Sequence, residues 1–439
     1  MKRIYIGLLL LGAGIAAAQE GEYAGPAILS RGIGPGRRSA DDLLRMRFYA
    51  QINAIYDNGL SAVSVDSNGQ LQSTDGYGIQ GALGAYGYHQ WKHTLLGLDY
   101  RGSYNHYSND TYYDGSDQNL SLGLTHQLTR HLNLTLRQLA GTSSRPMFSF
   151  YPSGFTDPSV EGIPVNELYD SRVTYTNSML DLTYQKSARL SFNFGGSGYF
   201  VRRRSQALVG LNAAYARGDM NYRLSRTQTI GIDYGFSHFD YSRGFGSSDI
   251  HSAGLNYAVR LGRSWEFSLR AGGARVESLG LIQVQIDPAV AAIIGVSSGT
   301  EVYYRTNYIP SGGAQLSRSF HHSIASLSYT RGVTPGNGIY LTSEGESATA
   351  NYSYNSTRRW SAGLGASWET YNSLTRTLGK YESYGGNLGG GYRILGSVYM
   401  TARIDYRHYQ VESQTYRHGR SSAAVGLAFS PGEIPLSLW

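Results

Sequence analysis

From Leu120 to Leu128 the chain reads LSLGLTHQL, and after Thr129-Arg130-His131 it reads LNLTLRQLAG from Leu132 to Gly141. Leu120, Leu122, Leu124 and Leu128 share one side of the first run, and Leu132, Leu134 and Leu136 continue that side beyond the turn. Successive side chains of an extended strand point to opposite faces. The pattern therefore predicts two strands joined tightly, with one apolar and one polar face. The same unit recurs along the chain: an alternating run, a short turn, a second run, then a longer polar stretch. A soluble sandwich shares the alternation, but its connections do not sort into short and long in strict succession. Hairpins that cross a membrane do sort in this way.

About eighteen such runs are counted, between residues 48 and 430. The short turns fall at 91–92, 129–130, 187–188, 225–227, 263, 319–321, 357 and 395, while the intervening connections are mostly longer, that between runs seven and eight excepted. Sixteen strands result if FYAQINAIYDNGL and one other run are not strands. Either number is even, so both termini of the chain fall in the periplasm, with short turns on that side and long loops outside. Parity assigns the faces. Val398, Met400, Ala402, Ile404 and Tyr406 form an apolar row, and Thr401, Arg403, Asp405 and Arg407 a row that hydrocarbon does not tolerate. Leu190, Phe192 and Phe194, then Ile230, Ile232, Tyr234 and Phe236, then Trp265, Phe267 and Leu269, then Trp360, Leu364 and Trp368, also face lipid by this rule. GYGIQGALGAYGYH, the second run, shows no clear parity. The expected fold is all-β: a single antiparallel transmembrane β-barrel of about eighteen strands, sixteen being the alternative.

The start of the chain, MKRIYIGLLLLGAGIAAA, has the charged, apolar and small-residue regions of a secretory leader, with cleavage expected near Ala18. Residues 19–47 are Gly-rich and are expected to form a periplasmic lead-in, 48–430 the barrel and 431–439 a C-terminal extension. Beyond the leader no window approaches the roughly 18 apolar residues of a spanning helix, and mean hydropathy is −0.32. The absence of cysteine excludes disulfides, thiolate metal sites and cysteine nucleophiles. The 56 glycines and 37 tyrosines suit a barrel, since tyrosine and tryptophan favour membrane interfaces. Lysine and arginine total 38 against 31 acidic residues, two of the cations leave with the leader, and the rest are spread along the chain. That spread argues against nucleic-acid binding.

The last run ends AVGLAF, with Phe429 preceded at alternate positions by Leu427 and Val425. Over nearly its whole mature length the chain resembles the Gram-negative outer-membrane β-barrel superfamily, in porin-like form, whose last strand typically ends in such a pattern. The resemblance implies residence in the bacterial outer membrane, among lipid and lipopolysaccharide, and makes Val425, Leu427 and Phe429 a signal for the barrel-assembly machinery. Here PGEIPLSLW follows, so a second aromatic, Trp439, ends the chain.

Candidate function lies in the connections and the lumen. The stretch 142–172 follows the fifth run, the position of the constriction loop in general porins, which it resembles by position only. Its Phe148, Phe150, Tyr151 and Phe155 are too apolar to stay in water, so it folds into the mouth or packs as an external lid. In 279–299, Asp287, Pro288 and Gly295 bracket a short apolar helix. Inward parity collects Arg101, Arg137, Arg217, Arg223, Arg260, Arg270, Arg305, Arg393, Arg403 and Arg407, against Asp99, Asp181, Asp219, Asp233, Glu266, Glu369 and Asp405. Either these charges pair across strands and stiffen the wall, or the arginine surplus favours anionic solutes. Most tyrosines share the lipid parity; Tyr199 and Tyr409 face inward, where rings stack on sugars.

No catalytic set emerges. The histidines are scattered, GGNLGGGY lies within a strand, and no metal or cofactor is expected. The leading expectation is a channel for small hydrophilic solutes, anionic or neutral. An exporter or surface anchor for an acidic exopolysaccharide is the alternative, together with a closed structural or binding barrel. Acidic saccharides are thus the other expected partner, and homo-oligomerisation is left open.

Overall fold

A computed structural model describes residues 45–65, 71–108, 114–144, 172–287, 295, 297–355, 359–374, 379–412 and 417–430. They form eighteen strands: β1 (Arg45–Val65), β2 (Leu71–Gln90), β3 (Thr94–Tyr107), β4 (Gly115–Thr129), β5 (Leu132–Ser143), β6 (Val173–Gln185), β7 (Leu190–Arg203), β8 (Gly210–Arg223), β9 (Gln228–Ser242), β10 (Ser247–Leu261), β11 (Trp265–Gln285), β12 (Ser298–Ser319), β13 (Ser323–Thr334), β14 (Ser343–Asn355), β15 (Trp360–Ser373), β16 (Tyr381–Leu395), β17 (Val398–Val411) and β18 (Arg417–Phe429). Each pairs antiparallel with the next, and β1 pairs with β18 from Ala50↔Phe429 to Asp57↔Ser422. The sheet is one closed ring. The expected number of strands, eighteen, is borne out, and FYAQINAIYDNGL is a strand.

Closure follows from edges: an open edge inside hydrocarbon leaves backbone donors and acceptors without partners, at several kcal/mol each. The outward rows are those that parity predicts. On β7, β9, β11, β15 and β17 the exposed side chains include Phe194, Ile230, Ile232, Tyr234, Leu269, Trp360, Leu364, Met400 and Ile404. On β2, whose parity the sequence leaves open, register decides. Ala82 pairs with the buried Gln51 and Gln80 with the buried Asn53, while Ile79 and Leu83 are exposed. Among the described residues no helix is long and apolar enough to cross a membrane, which is no bar to crossing with strands.

Two features depart from the expected boundaries. First, of the stretch 279–299 read as a connection, residues 279–285 extend β11 and 298–299 begin β12, and β11 pairs with β12 along that extension. β13 joins β12 only from Gly312↔Arg331 downward, so the edge of β12 over 298–311 carries no ladder on that side among the described residues. Pro310, two residues above the last pair, has no N–H to offer. Second, the connection 243–246 is only four residues long, with Arg243 at φ +68° and Gly246 at φ +144°. Of the helix expected in 279–299, Asp287 and Gly295 are described and 288–294 lie outside the described residues.

Candidate functional site: the inner wall and the connection folded against it

Register places all seventeen charged residues predicted for the lumen on the inward rows, and most of their carboxylates sit beside a guanidinium. Arg101 meets Asp99 at 2.5 Å, Arg217 meets Asp181 at 2.9 Å, Arg260 meets Glu266 at 2.6 Å and Arg403 meets Asp405 at 2.7 Å. Arg270 and Asp233 form the most enclosed pair, at 2.7 Å with side chains 4% and 3% exposed. Asn256 adds a bond to Asp233 Oδ1 at 2.7 Å, and Arg270 Nη1 donates to Ser311 Oγ at 3.0 Å. Two of these pairs span an intervening strand, and glycine makes the span possible. A Cβ on Gly195 would lie 2.6 Å from Asp181 Oδ1, and one on Gly254 would lie 2.8 Å from Arg270 Nη2.

The rest of the predicted set is Arg137, Arg223, Arg305, Arg393 and Arg407 with Asp219 and Glu369. Arg223 donates to the carbonyls of Ser225 and Arg226, and Arg393 to that of Gly396, so both brace short turns. Arg305 is exposed. Glu369 accepts from the Tyr371 hydroxyl at 3.0 Å.

A row of amides crosses the seam where the ring closes. Gln51 Nε2 donates to Thr401 Oγ1 and to Asn53 Oδ1, Asn53 Nδ2 to Gln80 Oε1, and Gln80 Nε2 to Asn105 Oδ1, all within 2.8 to 2.9 Å. Asn105 then donates to Asp117, which also accepts from Ser143 Oγ and Ser144 N. The chain of bonds thus runs from β17 through β1, β2, β3 and β4 to β5. Beside it Arg420 of β18 holds Asp57 of β1 at 2.6 Å, the carboxylate fully buried. Sequence reasoning missed this group. Its signal, polar Gln51, Asn53 and Asp57 alternating with apolar Ile52 and Ala54, lay in the run considered dispensable.

The connection 335–342 between β13 and β14 is folded inward, with every residue but Ile339 buried. Its sequence, PGNGIYLT, explains the shape. Gly336 and Gly338 take φ +80° and +94°, which residues with a Cβ rarely adopt. A Cβ on Gly336 would also overlap the carbonyl oxygens of Tyr340 and Leu341. Asn337 Oδ1 accepts from the N–H groups of Ile339 and Tyr340 at 3.2 and 3.0 Å and closes the turn. The turn then lodges between two parts of the ring. Val209 N donates to Gly338 O, Tyr241 of β9 donates to Pro335 O, and Ser248 of β10 meets Thr342. On the other flank Tyr340 donates to Gly379 O at 2.6 Å and Leu374 N to Thr342 O. Val333 and Leu341 join an inner apolar cluster with Val201, Phe239, Tyr241, Ile250, Val276 and Ile309.

Tyr340 packs with Tyr371, Tyr381 and Tyr409. The Tyr371–Tyr381 and Tyr381–Tyr409 rings stack at 5.7 and 6.5 Å. Tyr409 and Tyr199, expected to offer rings to sugars, are instead 1% and 2% exposed and belong to these clusters. Phe148, Phe150, Tyr151 and Phe155 lie outside the described residues. Val425, Leu427 and Phe429 sit on the outward row of β18, opposite the outward row of β1. Among the described residues no group of three histidine or carboxylate side chains is placed to hold a metal.

No family model and no curated protein matches the chain. Among solved structures it is similar to the outer membrane protein opdK of Pseudomonas aeruginosa, at 11% identity and a TM-score of 0.41 over 88% of this chain and 99% of that one. OccK2 (OpdF) of the same organism, in complex with glucuronate, gives 11% and 0.42 over 88% and 98%. OccAB3 of Acinetobacter baumannii gives 9% and 0.41 over 88% and 98%. Likeness at that level says nothing of solute or mechanism. The class of the molecule rests on its own ring: a closed antiparallel barrel of eighteen strands, apolar outside and charged within, the build of a barrel that crosses a membrane.

Proposed function

We propose that the chain is a bacterial outer-membrane channel for small hydrophilic solutes, narrowed by the inward connection 335–342. The observation that carries this reading is the size of the ring. Eighteen strands at about 4.8 Å spacing and about 40° of tilt give a diameter of about 35 Å between backbones. Side chains reaching about 6 Å from each wall leave a gap that they cannot fill alone. A folded segment must therefore set the bore, and 335–342 is placed to do so.

The finer part of the proposal is a preference for anionic or neutral solutes. It is supported by the make-up of the predicted inward set, ten arginines against seven carboxylates. Each pair is a local dipole and adds little net field, so the preference is modest, carried by the surplus alone. The test is reconstitution in planar bilayers with reversal potentials in asymmetric salt. An ohmic channel with anions favoured supports both parts, and cation preference overturns the arginine argument. A closed structural barrel is the second reading, favoured by the near-complete burial of 335–342. It requires silence from the intact protein and conduction once that segment is removed.

A further inference from the structure

The short turns at one end of the ring are a basic rim. The described residues of the turns at 91–93, 130–131, 186–189, 224–227, 262–264, 320–322, 359 and 396–397 contain no carboxylate and carry Lys92, Arg130, Lys186, Arg189, Arg226, Arg263 and Arg359. In the sequence these cations are scattered over some 270 positions; alternation of up and down strands brings them to one end. All are exposed. Beside them stands a second regular feature. Trp91 precedes Lys92, Leu128 comes two residues before Arg130, Leu224 two before Arg226, Leu261 two before Arg263, and Trp360 follows Arg359, each of these apolar residues being exposed. At the turn 320–322 the Arg318 guanidinium lies 4.8 Å from the Trp265 ring and 4.4 Å from that of Phe320.

We propose that this rim binds the headgroups of anionic phospholipids in the leaflet that meets the short turns. An exposed apolar side chain one or two residues from a cation is the arrangement that seats in a lipid interface, apolar part in the acyl boundary and charge at phosphate depth. Spacing favours a field of separate anions over one bound molecule. Two strands per turn place neighbouring turns about 12 Å apart, beyond the screening length of about 8 Å in physiological salt. Each turn thus meets its own phosphate, and a small anion cannot bridge two of them. An acidic polymer would need no apolar side chain beside each cation.

Trp91, Trp265 and Trp360 report on this interface, and Trp368, near the other end of β15, serves as the internal reference. The mature barrel is reconstituted in phosphatidylcholine containing either brominated phosphatidylglycerol or brominated phosphatidylcholine, and tryptophan quenching gives the relative association of the two lipids. We expect at least a threefold preference for phosphatidylglycerol at low ionic strength, falling towards one in 0.5 M salt. The variant K92Q/R130Q/R226Q/R263Q/R359Q should lose the preference, with its heat-modifiable gel migration showing that the barrel has formed. Equal association of both lipids, or a preference untouched by salt, overturns the proposal whether or not the variant folds. Binding of heparin by the detergent-solubilised barrel without any lipid preference overturns it too, and reassigns the rim to a soluble polyanion.

Discussion

Arg270 and Arg260 occupy the same inward row of neighbouring strands, yet burial separates their energetics. Removing one partner of an enclosed pair leaves a charge without water or counter-charge and costs about 3–5 kcal/mol. An exposed pair contributes at most about 1 kcal/mol, and Arg260 and Glu266 are 41% and 51% exposed. R270M should therefore lower the free energy of urea unfolding in detergent several-fold more than R260M, and equal losses would refute the distinction. Tyr340 makes a different point. Burial pushes its hydroxyl above the ordinary value of 10.0, so the neutral form is the one favoured in the fold. The bond to Gly379 O is then present at neutral pH and lost only as pH rises through the raised value. Single-channel conductance should rise above about pH 10 in the native protein and lose that step in Y340F.

At the scale of elements, 335–342 holds its place through paired contacts on two flanks, β9–β10 on one and the β15–β16 connection on the other. Deleting residues 336–340 should raise single-channel conductance, and unchanged conductance would show that the bore is set elsewhere. How much of this was legible differs by element. Strands such as β5, β9 and β17 alternate over most of their length because one face must be apolar and the other polar, which fixes register there. The second strand was opaque because its inward row is largely Gly78, Ala82, Gly84 and Tyr86, which carry no polar signature. The inward rows of charge followed from parity, but partners did not: Arg217 and Asp181 are 36 residues apart and meet over Gly195. The folded connection was hidden for another reason. PGNG reads as an ordinary turn, and only tertiary contacts with Val209, Tyr241 and Gly379 turn it inward.

Over the whole molecule, the described residues of the short turns carry cations and no carboxylate, whereas those of the long connections carry both signs. The same ring has a short seam reinforced by side chains, with β1 and β18 sharing eight registered positions, the Asp57–Arg420 pair and the amide row. A closed circle has no privileged first strand. A circularly permuted gene, linking the segments before Arg45 and after Phe429 and reopened at the four-residue turn 243–246, should refold from urea into lipid vesicles as the native order does, judged by heat-modifiable migration. In cells the permuted chain would end on β9, and Val425, Leu427 and Phe429 would become internal. If those three residues are read by the assembly machinery, the permutant should refold in the test tube yet fail to reach the membrane in vivo, which separates the geometry of closure from the address that delivers the chain.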